Sequence, residues 1–560
     1  MSIAAPARSG PRYRGVGGHP WAWALAGAVP VVFLALFFAW PVVALVARGF
    51  VVDGSFTLSG VNAVLSAPRT WRIVGQTLAQ ATVGTLLSVT LGVPGAYLLY
   101  RCRFPGRRVL RAVVSVPFVL PTVVVGVAFQ ALLSDRGPLG GLGLQESFVA
   151  IVAALVFFNY SVVVRTVGAL WSRLDPRAED AARTLGAGRV RVLISVTLPA
   201  LAPAIASAAA LVFLFCASAF GVVLVLGGAA YGTIETEIWY QTTQLLDLQA
   251  AAALSILQMV VVASSLMVAN AARVRQERAL RLSGKPVDRA LRRSDALAAA
   301  VTGVVVLGLL VFPMATLAWR SLITADGVGL GNYAALSGGA GQLTVSVWQS
   351  LINSLMTGAA ATAIALTLGL LVSYVLSRRP VSARGRRTLR TVDALFMLPL
   401  GVSAVTVGFG FLITLNRPPL DLRSSWVLIP IAQAVVALPL VVRTLLPTLR
   451  AIDPRLHEVA ATLGAGPGRI VRTIDLPFAL RGLGLALGFA FATSLGEFGA
   501  TSFLARPDRP TLPVVIFKLI GRPGAENFGM AMAASVVLAL LTGAVMALAE
   551  WVGPREVNPW

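Results

Sequence analysis

Asp175-Pro-Arg-Ala-Glu-Asp-Ala-Ala-Arg-Thr-Leu-Gly-Ala-Gly188, running on to Leu198-Pro199, returns as Asp453-Pro-Arg-Leu-His-Glu-Val-Ala-Ala-Thr-Leu-Gly-Ala-Gly466, running on to Leu476-Pro477. Matched positions lie 278 residues apart without a gap, Asp175 against Asp453. Each copy reads as a short helix with both ends specified. Asp175 and Asp453 can accept orphan backbone N–H groups, Pro176 and Pro454 suit the first helical position, and Gly186 and Gly464 can adopt the left-handed conformation that closes a helix. About ten residues between these signals give roughly 15 Å of helix, too short to be stable alone. Ala181, Ala182, Ala460 and Ala461, with Leu185 and Leu463, leave a slim surface that can press into a groove on another protein.

Outward from these stretches the chain is apolar. Of 560 residues 57% are hydrophobic and only 12% charged, and the mean hydropathy is +0.81, far from the ~25% charged residues of a soluble domain. Runs of about 20 apolar residues recur throughout, each long enough to cross a hydrocarbon core as a helix. Twelve spans are predicted, at 22–46, 72–100, 112–133, 148–171, 200–226, 250–272, 296–319, 348–377, 391–415, 425–449, 479–504 and 527–550. The fold class is therefore an all-α polytopic membrane protein.

The formal charge of +23 raises nucleic acid as a partner, but the arginines are confined to short segments between apolar runs. Arg101, Arg103, Arg107, Arg108 and Arg111 form one group, the segment from Arg273 to Arg293 a second, and Arg378 to Arg390 a third. Basic loops on alternate sides are the positive-inside pattern, with attraction to anionic membrane lipids, and account for the excess. With six spans in each half, both termini and the 273–293 linker are expected in the cytoplasm, together with both Asp-Pro stretches. Arg506, Arg509, Lys518 and Arg522 fall on the expected outer side and run against this topology. The expected organisation is a cytoplasmic tail at 1–21, a first transmembrane domain at 22–272, the linker at 273–293, a second domain at 294–552 and a tail at 553–560.

The repeat extends beyond the two stretches. Phe118-Val-Leu-Pro121 matches Phe396-Met-Leu-Pro399, Arg165-Thr166 matches Arg443-Thr444, and Phe220-Gly221 matches Phe498-Gly499, all at the same offset. Two six-helix repeats of equal orientation imply a pseudo-two-fold axis along the membrane normal, with the translocation path between the halves. Pro121 and Pro399 are candidate kink points, since each lacks an N–H. Glu497, followed by Phe498, is a carboxylate inside a predicted span, which costs several kcal/mol unless it is paired or hydrated; it is expected to face the cavity or to serve a structural hydrogen bond. The first half has Ala219 at the matching position. On the expected outer side Glu235, Glu237, Trp239 and Tyr240 cluster, suited to a cationic aromatic solute or to the surface of a soluble delivery protein. Two cysteines, Cys102 and Cys216, and two isolated histidines offer neither a disulfide framework nor a metal cluster.

The two stretches resemble the EAA loop of ATP-binding-cassette (ABC) importer permeases. Asp180-Ala181-Ala182 with Gly186 fits in the first copy, and Glu458-Val459-Ala460 with Gly464 in the second. The resemblance, which covers nearly the whole chain, implies a type I fold in which each loop is a coupling helix gripped by one of two cytoplasmic ABC ATPase subunits. It also implies an extracytoplasmic solute-binding protein as a third partner and a location in the bacterial cell membrane. No phosphate-binding loop is present, and Gly284-Lys285-Pro286 lacks the upstream Gly and the hydroxyl. No intrinsic catalysis and no cofactor of its own are therefore expected, ATP and Mg belonging to the partner. Together the halves resemble the fused double-length permeases of the thiamine and ferric iron group, with 233–258 similar to the thiamine permease; this implies thiamine as solute, with ferric iron as the alternative. Sulfate and molybdate permeases look similar around Gly496-Glu-Phe-Gly499. An ion-driven secondary carrier also uses parallel repeats, but would need buried titratable pairs. A membrane scaffold that binds an ATPase without moving solute is a third class.

Overall fold

In the computed structural model, residues 20–52, 55–276, 288–325, 327–338, 344–378, 382–416 and 420–552 are described. The expected tail at 553–560, nearly all of the 1–21 tail and most of the linker lie outside them. Among the described residues nine helices are long and apolar enough to cross a membrane, and two bent pairs bring the count to eleven. The twelfth expected span is shorter: Ala404–Thr414 follows the Arg-rich helix Ala383–Met397 across a 3₁₀ turn at Leu398–Gly401.

Two of the expected continuous spans are thus broken, and at matching places. Arg107–Phe118 and Thr122–Leu133 meet at 104°. The break falls at the repeated Leu-Pro, where proline cannot donate a helical hydrogen bond and disfavours a helical residue before it. Two further expected spans end early: the helix read to 226 stops at Ala217, with a separate turn at Gly221–Leu226, and the one read to 504 stops at Gly496 before Thr501–Leu504. Glycine follows closely in each case, at Gly221 and Gly499.

Each half is built around one helix. Phe148–Trp171 and Leu428–Arg450 are the most enclosed of the spans, 72% and 78% of their apolar windows being buried. They lie against Pro68–Arg101 and Val347–Leu376 respectively. Between apolar helices in lipid, close packing replaces the hydrophobic effect as the source of adhesion, so small residues sit where backbones approach. A Cβ on Gly92 would come within 2.7 Å of Val163, and one on Gly369 would collide with Val441. Both members of this contact repeat between the halves.

The first helix of each half reaches across to the other half while still touching its own. Trp40–Phe50 lies beside Ala404–Thr414 of the second half, and Ala296–Val304 beside Pro68–Arg101 of the first. Phe37 and Phe411 rings stand 6.4 Å apart, and Arg320 donates to the Ala131 carbonyl and the Ser134 hydroxyl, each at 3.2 Å. The exchange locks the halves together by a crossed embrace rather than by one flat interface.

Candidate functional site: two repeated capped helices and a central seam

The repeated stretches form helices at Arg177–Thr184 and Pro454–Thr462, and neither buries a residue. Asp175 accepts the Arg177 N–H and Asp453 the Arg455 N–H, both at 3.0 Å. At the other end Gly186 has φ +85° and Gly464 φ +78°. The residue after each glycine donates back into the helix, Ala187 to the Ala182 carbonyl at 3.0 Å and Ala465 to Ala460 at 2.9 Å. Leu185 and Leu463 are 88% and 81% exposed, so each helix offers a bare leucine at its tip. Asp180, Ala181 and Glu458 are also exposed, while Ala182 and Ala460 are half-buried.

What fastens these helices was missed in the sequence. Each is followed by a single π-helical turn, Leu193–Thr197 and Val471–Asp475, where the next long helix begins. In the first half the Thr197 hydroxyl donates to Glu179 Oε1 at 2.9 Å. In the second, at the same repeat positions, His457 Nε2 lies 2.6 Å from Asp475 Oδ1; a carboxylate only accepts, so the ring nitrogen is the donor. Asp475 Oδ2 takes a second donor, Arg378 at 3.2 Å, whose guanidinium covers the Tyr374 ring at 4.5 Å. The signal was available: Glu179 and Thr197 fall on His457 and Asp475 at the repeat offset, carboxylate and partner having changed places.

Between the halves runs a seam of aromatic rings. The repeat-matched Phe220 and Phe498 stack at 5.4 Å and 19°. Phe517 adds to Phe498 at 5.4 Å, and Trp239 meets Phe517 edge-on at 5.8 Å. Phe220 and Phe498 are only 7% and 2% exposed, so the rings close the line between the halves in this conformation. Pro121 supports the seam from the first half, since a Cβ on Gly496 would sit 3.2 Å from it.

Two carboxylates border the seam and do different things. Glu497 is buried, and its two oxygens accept Ala500 N–H at 2.7 Å and Thr501 N–H at 3.0 Å, capping the turn Thr501–Leu504. Of the two expectations for Glu497, these bonds fit the structural hydrogen bond. Glu235, expected on an outer surface, is fully buried. It accepts Gln258 Nε2 at 2.8 Å and, across the seam, the Ser403 hydroxyl at 2.7 Å. Ser403 stands four residues after Pro399 and caps Ala404–Thr414. Glu237 is also turned inward, paired with Arg69 at 3.0 Å, and Trp239 is half-buried; of the four, Tyr240 alone is well exposed. The reason is the capping box of Thr233 and Thr236, which folds this stretch into a helix, Ile234–Thr243, that enters the bundle instead of looping outside it. Among the described residues no three of His, Cys, Asp and Glu gather as a metal-holding group.

Comparison with known proteins fits both copies. The family of binding-protein-dependent transport system inner membrane components matches twice, over residues 84–276 and 365–557. The thiamine transport system permease protein ThiP of Brucella abortus is 26% identical over 86% of this chain and 87% of its own length. The ferric transport system permease protein FbpB of Actinobacillus pleuropneumoniae is 25% identical over 94% of this chain and 78% of its own. A probable sulfate transport system permease protein of Nephroselmis olivacea is 32% identical over 37% of this chain and 72% of its own.

Proposed function

Since the chain belongs to the binding-protein-dependent transport system inner membrane components, as a fused double-length ABC importer permease, we propose that it carries thiamine across the inner membrane. One observation supports this reading above others: the thiamine permease aligns with both halves together, over 86% of this chain and 87% of its own length. The seam is compatible with it, because a buried carboxylate, Glu235, and ring faces at Trp239, Phe220 and Phe498 suit a flat cation. Ferric iron is the second reading, favoured by the ferric permease aligning with 94% of this chain.

In the proposed cycle two cytoplasmic ABC ATPase subunits grip Leu185 and Leu463 at the tips of the coupling helices, with ATP and Mg held by the ATPases and no nucleotide site in this chain. Both termini and the linker lie on that side. A soluble binding protein delivers the solute from the opposite side. Closure of the ATPases moves the coupling helices; the π turns pass this movement to Leu198–Ala217 and Leu476–Gly496, parting Phe220 from Phe498 and Glu235 from Ser403. Solute then passes between the halves.

The test is uptake into proteoliposomes holding the chain, its ATPase and its binding protein, with internal ATP and the ion gradients collapsed. ATP-dependent accumulation of labelled thiamine is expected. Accumulation of ferric iron but not thiamine would move the assignment to the second reading, and uptake that needs an ion gradient would remove the ABC mechanism.

A further inference from the structure

The helix that carries Glu235 has a counterpart in the second half. Ile234–Thr243 and Leu512–Ile520 begin at matching positions of the 278-residue repeat, and Trp239 falls on Phe517, the ring it meets edge-on. Both helices are seated in the same way. The Ile234 N–H donates to the Thr77 hydroxyl at 3.1 Å, and the Leu512 N–H to the Ser354 hydroxyl at 2.7 Å. Their side chains differ: Glu235, Thr236 and Glu237 fall on Pro513, Val514 and Val515. Two copies of one element thus face each other across the seam, one acidic and one apolar. Glu237 has a cation of its own in Arg69, which leaves Glu235 as the carboxylate to be explained.

The donors on Glu235 are the Gln258 amide and the Ser403 hydroxyl, both uncharged, and neutral donors compensate a buried carboxylate poorly. Gln258 is itself buried. Its nitrogen lies 2.8 Å from Glu235 Oε1 and 3.3 Å from the Ala217 carbonyl. Both of these groups only accept, so the amide must turn its nitrogen toward them. That leaves Gln258 Oε1 as a buried acceptor to which no donor comes among the described residues. Trp239, four residues after Glu235 and so on the same face of its helix, has the reverse problem: its Nε1 is a covered donor without an acceptor there. Groups buried in this way cost free energy unless something else meets them. The two donors on Glu235 also come from opposite sides. Gln258 belongs to Leu248–Gln276 of the first half, whereas Ser403 caps Ala404–Thr414 of the second. Parting the halves removes Ser403 and leaves Gln258 in place.

We propose that Glu235 and Gln258 form the binding site for the charged end of the solute, a cationic heteroaromatic that carries an N–H donor, and that the Ser403 hydroxyl keeps its place while the seam is closed. This rests on the transport reading above and adds which residues select the solute. When the halves part, Glu235 Oε2 exchanges a neutral donor for a positive one, and the bond becomes charge-assisted on both sides. Gln258 Oε1, on the amide already fixed to Glu235, accepts an N–H, and the Trp239 ring offers its face to the same charge. A neutral or anionic solute gains nothing from the exchange, so the site discriminates by charge. The opposite wall, with Pro513, Val514 and Val515, meets the uncharged end. A path built on a pseudo-two-fold axis thereby takes its solute in one orientation, because the carboxylate stands on one side of the axis only.

The experiment places the full chain with its ATPase subunits in nanodiscs, traps them with ATP and vanadate so that the seam is held parted, and measures equilibrium binding of labelled thiamine. Glu235→Gln keeps the shape and loses the charge; it should bind at least about tenfold more weakly than wild type, with part of the loss restored in Glu235→Asp. Gln258→Met should weaken binding by about three- to tenfold. Ser403→Ala breaks the same bond from the other side of the seam and leaves the carboxylate, so it should bind at least as tightly as wild type. If Glu235 were only a strut between the halves, Glu235→Gln and Ser403→Ala would behave alike, and equal losses in the two overturn the proposal. Unchanged binding in Glu235→Gln overturns it as well. Should Glu235→Gln fail to fold, Gln258→Met decides, and wild-type affinity there counts against the site. Uptake of thiamine by wild-type proteoliposomes is measured beside these. Uptake together with unaltered binding in Glu235→Gln removes this inference alone, whereas absence of thiamine uptake removes the transport reading and this inference together.

Discussion

The two coupling helices share a start, a stop and an exposed leucine, yet they are anchored by different chemistry. In the first half a neutral hydroxyl, Thr197, donates to Glu179. In the second, Asp475 is the hub of a three-part clasp, holding His457 from the coupling helix and Arg378 from Val347–Leu376. The exposed shape is repeated, while the fastening beneath it is not. On the proposed function a fused chain can tolerate this, because each half would need a helix of fixed geometry but not an identical root. Each helix is held by one charge-assisted bond, but the second bond's carboxylate is itself anchored by Arg378, so the second should move more stiffly with its span.

The hardest test of the shared part is the pair of closing glycines. At both Gly186 and Gly464 a Cβ would meet nothing within 4 Å, so a substitution is penalised only through its positive φ. A β-branched residue there costs on the order of 1–3 kcal/mol per site, comparable to all that holds so short a helix. Gly186→Val/Gly464→Val is expected to lower uptake at least tenfold while the partner's ATP hydrolysis continues; Asn at both sites, tolerant of the left-handed region, should be close to wild type. Of the single variants Gly186→Val should do more damage, because its helix has the weaker root. Equal damage would show that the difference in fastening does not reach the motor.

The difference itself is tested by removing each hub. Asp475→Ala leaves Arg378 and His457 half-buried without their carboxylate, at a cost of about 3 kcal/mol; Thr197→Val removes one hydrogen bond, about 1 kcal/mol. Chemical unfolding of the purified chain reads both. The double change His457→Glu/Asp475→Thr transplants the first clasp into the second half and should recover most of what Asp475→Thr loses alone, a coupling that a double-mutant cycle isolates. Additive losses would mean the two pairs are neighbours without being equivalents.

Most of the architecture could be read because it is written twice. Helical spans follow from apolar runs, and the coupling helices from Asp-Pro and Gly at a fixed offset, since caps and left-handed stops are local properties of one or two residues. The breaks at Pro121 and Pro399 were visible as candidate kinks, but the 104° turn is set by how the amphipathic Arg107–Ser115 settles against its neighbours. The crossed embrace of the first helices left no trace, because an apolar face in lipid does not name its partner. Glu235 misled because a buried carboxylate is recognised by its donors, and Ser403 lies 168 residues from it. His457 looked isolated for the same reason, its partner being Asp475 on the following π turn.

Glu497 separates the halves at the seam, since its counterpart is Ala219 and Gly221–Leu226 starts without a side-chain cap. If its work is to cap Thr501–Leu504, Glu497→Gln should cost about 1 kcal/mol of stability and leave the KM for solute unchanged. A change in KM without loss of stability would return the residue to the transport path.

The smallest effect concerns the segment that pairs with the end of Pro68–Arg101 in the first half. Cys102 is buried beneath the strand pairing with Arg289. Burial, reinforced by the Asp295 carboxylate, pushes its thiol up to about 11, so at neutral pH it is both covered and protonated, and the thiolate is the reactive form. Asp288→Ala removes the carboxylate on Arg107, and an ion pair at a partly exposed site contributes roughly 0.5–1 kcal/mol. Opening of the strand should then become about two- to fivefold more frequent, and labelling of Cys102 by a water-soluble maleimide should accelerate by that factor. Cys216, fully buried among the helices, provides the control within the same molecule and should stay unlabelled in both proteins. If labelling of Cys102 does not change, Asp288 is not what holds this segment down, and its attachment must rest on the strand pairing alone.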